Sequence, residues 1–99
     1  MCTSVNQIIQ ILMKNNIIVY TSNTCAFCVN AKNLLNDINL HFKEINIQID
    51  PEQRDIMLSK SNGQRTVPQI FINDNHVGGY TELSRIVKNG EYKSFLIND

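Results

Sequence analysis

Apolar positions along the chain alternate between two periods. Ile8, Ile9, Ile11 and Leu12 fall at helical spacing behind Ser4-Val5-Asn6-Gln7, a capping box with Ser4 as N-cap, and predict a short helix over 4–14 that Asn15-Asn16 ends. Ile17-Ile18-Val19-Tyr20 is continuously apolar and largely β-branched, as an interior strand covered on both faces would be. Cys28, Ala31, Leu34, Leu35 and Ile38 then recur at steps of three and four, predicting an amphipathic helix over 25–38. Residues 42–49 alternate, as a strand with one wetter face does. Asp50-Pro51-Glu52-Gln53 reads as a helix start with Asp50 as N-cap and Pro51 at the first position, and that helix runs to about Ser61 and stops at Asn62-Gly63.

The second half continues with a strand over 67–72 that carries Pro68 at its leading edge. A turn at Asn73-Asp74-Asn75 follows, where Asn and Asp tolerate positive φ, and then a short return strand at His76-Val77. Gly78-Gly79 precedes a helix from Tyr80 to about Lys88, ended by Asn89-Gly90, and residues 92–96 suit one more short helical turn. Strand, helix and strand with no room for a hairpin imply a parallel pair with a right-handed crossover, and the later hairpin adds an antiparallel edge. The expected architecture is an α/β domain with a mixed four-stranded sheet and helices on both faces.

Composition narrows this without redirecting it. Ninety-nine residues suffice for one domain, and 42% hydrophobic with 18% charged residues is ordinary for a globular chain. Nine basic residues balance nine acidic ones with no basic cluster, so no nucleic-acid partner is expected. The longest apolar runs are about four residues against the roughly twenty a membrane span needs, so no membrane association is expected. Residues 1–7 hold neither a positive region nor a long apolar one, which makes the cytoplasm, where thiols stay reduced, the expected compartment. Three cysteines cannot pair completely, which favours a catalytic pair over a structural framework.

The chemistry concentrates at Thr24-Cys25-Ala26-Phe27-Cys28, between the first strand and the helix after it. The first N–H groups of a helix are unpaired and carry partial positive charge, so a cysteine at the helix start is held as thiolate. Cys25 at the cap is the expected nucleophile, with the Phe27 and Cys28 N–H groups as donors to its sulfur. Cys28, one turn in, is shielded and resolves a mixed disulfide that Cys25 has formed. The alternatives are an inert buried pair of thiols and half of a zinc site. Zinc needs four ligands, and only Cys2, His41 and His76 remain, none at the usual paired spacing, so no metal site is assigned. His41 and His76 read as surface side chains near strand ends, Tyr20, Phe42 and Phe71 as core aromatics, and Cys2 as a free thiol.

With Cys25-Ala26-Phe27-Cys28, Thr66-Val67-Pro68 and Gly78-Gly79 in this order, the chain resembles a dithiol glutaredoxin of the thioredoxin-like fold, the match spanning roughly residues 17 to 90. It is less similar to thioredoxin, which has Trp before the first cysteine and Gly-Pro between the pair. The resemblance implies a single glutaredoxin domain over 1–99, a monomer, that reduces protein disulfides and protein–glutathione mixed disulfides with glutathione as reductant. It implies a cis bond before Pro68 beside Cys25, with the Val67 N–H and C=O turned outward to pair with the cysteine of glutathione. Thr66 borders that strand-like edge, Phe27 walls the site where the family generally has Tyr, and Gly79, Tyr80, Thr81 and Glu82 open the last helix toward the γ-glutamyl end. Glu82 serves equally as a first-turn capping acid. The family's lysine three positions before the first cysteine is Ser22 here, so the glycine carboxylate falls to Arg65 or Arg54, with Gln64 as a neutral donor. Ala26 replaces the usual proline between the cysteines, and in this family such variants are more often those that hold a glutathione-ligated [2Fe-2S] cluster between two subunits, the alternative function.

Overall fold

The computed structural model describes residues 15–97. The helix expected over 4–14, Cys2 and the outer limits of the 1–99 domain lie outside the described residues.

Strand β1 (Ile17–Thr21) lies inside the sheet because both of its faces are apolar. Ile17 and Val19 join Ala31, Leu35, Ile70, Ile72, Leu83 and Ile86 in one buried cluster. Tyr20 enters a second cluster with Met57 and Phe71, against which Ile18 packs, and the Tyr20 and Phe71 rings meet edge to face at 5.7 Å. The helices follow from these two clusters. Helix α1 (Ala26–Asp37) brings Ala31 and Leu35 to the first, α2 (Glu52–Lys60) brings Met57 to the second, and α3 (Tyr80–Lys88) brings Leu83 and Ile86 to the first. The sheet is therefore covered on both faces, as expected for a thioredoxin-like α/β fold.

Strand β2 (Lys43–Asn46) pairs parallel with β1, Val19 opposite Glu44. Strand β3 (Gln69–Ile72) pairs antiparallel with β1, and β4 (Asn75–Gly78) antiparallel with β3, in the order β2-β1-β3-β4. The hairpin between β3 and β4 turns on Asn73 and Asp74, both at positive φ (50° and 68°), a two-residue turn whose twist matches the strands.

Several boundaries differ from the sequence pattern, each for a local reason. The strand expected over 42–49 stops at Asn46, because its side-chain oxygen accepts from Gln48 N–H (2.9 Å) and Ile49 N–H (3.3 Å) and folds 47–49 into a turn. Pro51 is helical (φ −63°, ψ −24°), but α2 begins at Glu52, so Pro51 rather than the expected Asp50 stands at the cap position and no side chain among the described residues caps the helix. The strand after Pro68 begins at Gln69 rather than Val67, since proline has no N–H for the ladder. The tail forms a short 3₁₀ helix at Glu91–Phe95, one residue earlier than expected, which Asn89 caps by accepting from Glu91 N–H (2.8 Å).

Candidate active site

The loop from β1 into α1 is tied through Asn23 to the turn that follows β2. Asn23 N–H donates to Gln48 Oε1 (2.6 Å), and Asn46 Nδ2 donates to Asn23 Oδ1 (2.8 Å). The turn that shortens β2 thus also braces the loop leading to Cys25. Cys25 then takes an extended backbone (φ −143°, ψ 103°) as N-cap of α1, and its Sγ accepts from Cys28 N–H at 3.1 Å. A cysteine sulfur stands where a Ser or Asp oxygen usually caps a helix, so its thiolate receives both a hydrogen bond and the positive end of the helix dipole.

Of the two donors expected, the described residues show the Cys28 N–H in place and no bond from Phe27. The two sulfurs stand as a disulfide with Cα atoms 5.2 Å apart. Cys28 is 2% exposed and Cys25 half-buried, an asymmetry that leaves Cys25 as the sulfur a substrate reaches.

The Thr66–Pro68 segment reaches Cys25 from the neighbouring strand, since it leads into β3, which pairs directly with β1. The Val67–Pro68 bond is cis, and the Val67 carbonyl oxygen lies 3.6 Å from Cys25 Sγ. No hydrogen-bond partner for the Val67 N–H occurs among the described residues. Gly78, which ends β4, has φ +118°, and a Cβ there would meet Glu82 Oε1 at 3.0 Å and its Cγ at 3.1 Å. The positive φ strains any L side chain there, and the Glu82 side chain would also have to shift to admit one. Gly79 caps α3, and its N–H donates to Glu82 Oε1 (2.9 Å), so Glu82 takes the capping role.

Phe27, 60% exposed, stacks on Tyr80 with centroids 6.1 Å apart, walling the Cys25 side of α3. Thr66, Gly79 and Glu82 border a cavity of about 290 Å³ together with Gln64, Gln69 and His76. Arg54, Arg65 and Thr81 are exposed, Ser22 is half-buried, and neither arginine takes part in the ion pairs found among the described residues.

Two groups near the site carry more structure than their sequence positions suggest. Thr21, fully buried at the end of β1, donates its hydroxyl to Glu44 Oε2 (2.7 Å), and Lys32 Nζ of α1 donates to the same oxygen (3.0 Å). The Thr21 hydrogen bond, joined by Lys32, holds the Glu44 carboxyl below its usual value against the opposing effect of burial. Gln69, 2% exposed, bonds both Thr66 and His76. The signal for it was present: a polar residue within Pro68-Gln69-Ile70-Phe71-Ile72 must find partners when the strand is buried.

The glutaredoxin family model matches residues 17–77. Over 85 residues the chain is 40% identical to Glutaredoxin 1 of Rickettsia conorii, covering 85% of this chain and 83% of that protein. The chain belongs to the glutaredoxin family. The solution structure of a glutaredoxin from Brucella melitensis is similar to it with a TM-score of 0.70 and 38% identity, covering 82% of this chain and 87% of that one. A buckwheat glutaredoxin–glutathione complex shares the fold with a TM-score of 0.73 at 23% identity, over 95% and 87% of the two chains. As a glutaredoxin with its cysteine pair at disulfide distance, the protein is a thiol–disulfide oxidoreductase.

Proposed function

We propose that this glutaredoxin is a cytoplasmic, monomeric enzyme that uses glutathione to reduce protein–glutathione mixed disulfides and protein disulfides through Cys25 and Cys28. The observation that carries the reading is Cys25 Sγ, capped by Cys28 N–H at 3.1 Å and 3.6 Å from the Val67 carbonyl. The Cys25 sulfur and a strand-like edge with a free N–H stand side by side, which suits a peptide-like disulfide whose backbone pairs with Val67 while its sulfur meets the Cys25 thiolate of the reduced pair. The buckwheat relative named as a glutathione complex supports the choice of ligand.

In the first route the Cys25 thiolate attacks the glutathione sulfur of a mixed disulfide. The protein thiolate leaves and takes a proton from solvent, and Cys25 is left glutathionylated. A second glutathione thiolate then attacks that glutathione sulfur, releasing oxidised glutathione and the Cys25 thiolate. In the second route Cys25 attacks a protein disulfide, and Cys28 gives up its proton and displaces the substrate thiolate to form the Cys25–Cys28 disulfide. Two glutathiones reduce that disulfide. Thr66 and Val67 orient the glutathione cysteine, Pro68, Gly79, Tyr80 and Thr81 shape the γ-glutamyl end beside the capping acid Glu82, and Phe27 covers the sulfur. Arg65, assisted by Arg54 or Gln64, takes the glycine carboxylate in place of a lysine at position 22.

Turnover of a glutathionylated peptide by glutathione tests this. Cys25→Ser should abolish it, whereas Cys28→Ser should retain it and lose reduction of protein disulfides. Activity surviving in Cys25→Ser would overturn the assignment. A brown dimer after anaerobic reconstitution with iron, sulfide and glutathione would favour the cluster-holding alternative that Ala26 raises.

A further inference from the structure

Gln69 carries its buried amide between two partners whose chemistry fixes its orientation. Nε2 lies 3.0 Å from the Thr66 carbonyl oxygen and 3.2 Å from Thr66 Oγ1. A carbonyl oxygen only accepts, so the amide NH₂ must face Thr66. Oε1 therefore faces His76, 2.6 Å from Nε2, and since an amide oxygen also only accepts, His76 Nε2 carries the proton. The imidazole is held against the Phe71 ring, centroids 5.0 Å apart, with His76 and Phe71 opposite one another in the β3–β4 ladder. A chain of donated hydrogen bonds thus runs from the hairpin through Gln69 to Thr66, and the next residue, Val67, has its carbonyl 3.6 Å from Cys25 Sγ.

We infer that His76 and Gln69 are positioning residues: the His76 N–H locks the Gln69 amide, and the amide locks the Thr66–Val67 peptide in the orientation that receives the cysteinyl backbone of a glutathione disulfide. The inference rests on the glutathione reading proposed above. Gln69 and His76 border the 290 Å³ cavity, so water can replace a lost partner there and the effect falls on orientation rather than on folding. Gln69 also sits in β3 opposite Tyr20, which anchors its backbone whatever its side chain does.

The test compares three variants. His76→Phe keeps a ring against Phe71 and removes the donor, His76→Gln restores an N–H donor, and Gln69→Glu keeps an oxygen toward His76 but places another against the Thr66 carbonyl. With a glutathionylated peptide, His76→Phe and Gln69→Glu should raise KM about fivefold or more while kcat stays within about twofold, and His76→Gln should lie within about twofold of the parent in both. The backbone ¹⁵N resonance of Val67, which reports hydrogen bonding at the Thr66 carbonyl, should move in His76→Phe and return in His76→Gln with no glutathione present. An unchanged KM in folded His76→Phe overturns the inference, as does an equal loss in His76→Gln. If the parent protein does not use glutathione, the functional reading fails, and the Val67 resonance still decides whether the relay holds the loop.

Discussion

At the scale of single residues, the site depends on which atoms Cys25 and its neighbours present. Cys25 serves as a helix cap, so the Cys28 N–H that would otherwise be an orphan of the first turn stabilises the reactive sulfur. Cys28 is buried by the same helix geometry that directs Ala31 and Leu35 inward. The nucleophile and the resolving thiol are thus distinguished by three positions of helix, which is why spacing alone allowed their roles to be read. The cation for a glutathione carboxylate is different, because it need only reach the site in space. Ser22 is half-buried on the braced loop before Cys25. Ser22→Lys should place a charge near that carboxylate and lower KM for glutathionylated peptide several-fold, roughly the effect of one exposed ion pair of about 1 kcal/mol. The gain should shrink as ionic strength rises, and steady-state kinetics at two salt concentrations would show it.

At the scale of elements, the Thr21–Glu44–Lys32 contacts join the end of β1 to β2 and to the middle of α1. Lys32 lies four residues beyond Cys28 and so on the same side of α1. Since Glu44 has its carboxyl lowered in the folded state, its contribution is present above the usual glutamate value of 4.5 and is lost as pH falls through the native value. Thr21→Val, which keeps the shape and removes the hydroxyl, should raise the Glu44 pKa and cost about 1 kcal/mol at neutral pH. That estimate is kept low because the Glu44 side chain is 37% exposed. The difference between variant and parent should vanish in acid, measured as urea unfolding free energies from pH 7 down to pH 3. A pH-independent difference would mean that packing at Thr21, and not the hydrogen bond to the carboxylate, is at stake. The β2 element shows how a sequence pattern is overridden locally. Residues 42–49 alternate well enough for a longer strand, but the Asn46 side chain competes for the next two N–H groups and wins.

At the scale of the whole molecule, two apolar clusters on opposite faces of one sheet hold the segments that build the site. Leu83 is fully buried on α3, the helix whose first turn borders the site. Leu83→Ala should cost about 3 kcal/mol by urea unfolding, with a slope like that of the parent protein. The cysteine pair should still be oxidised and reduced in the fraction that remains folded, because Cys25 and Cys28 sit on α1. Loss of the cysteine chemistry without loss of stability would contradict this division.

The sequence by itself determined the local elements and the chemistry that depends on short spacing: a strand apolar on both faces, a helix opened by a cysteine, a turn over Asn73-Asp74-Asn75 that the structure tightens to two residues with β4 starting at Asn75, and a glycine pair before the last helix. These are decided by side-chain period, cap chemistry and allowed φ, all of which act within a few residues. Tertiary structure alone decided the strand order β2-β1-β3-β4, and it carried Val67 to Cys25 across 42 positions of chain, an approach that the family resemblance implied and no local pattern encodes. It also decided the use of Asn46 and Gln48 to brace the loop before Cys25, and the pairing of Gln69 with His76. Those contacts have no period in the sequence. They arise where buried polar groups must find partners among whatever residues the packing of the two clusters happens to bring within hydrogen-bonding distance.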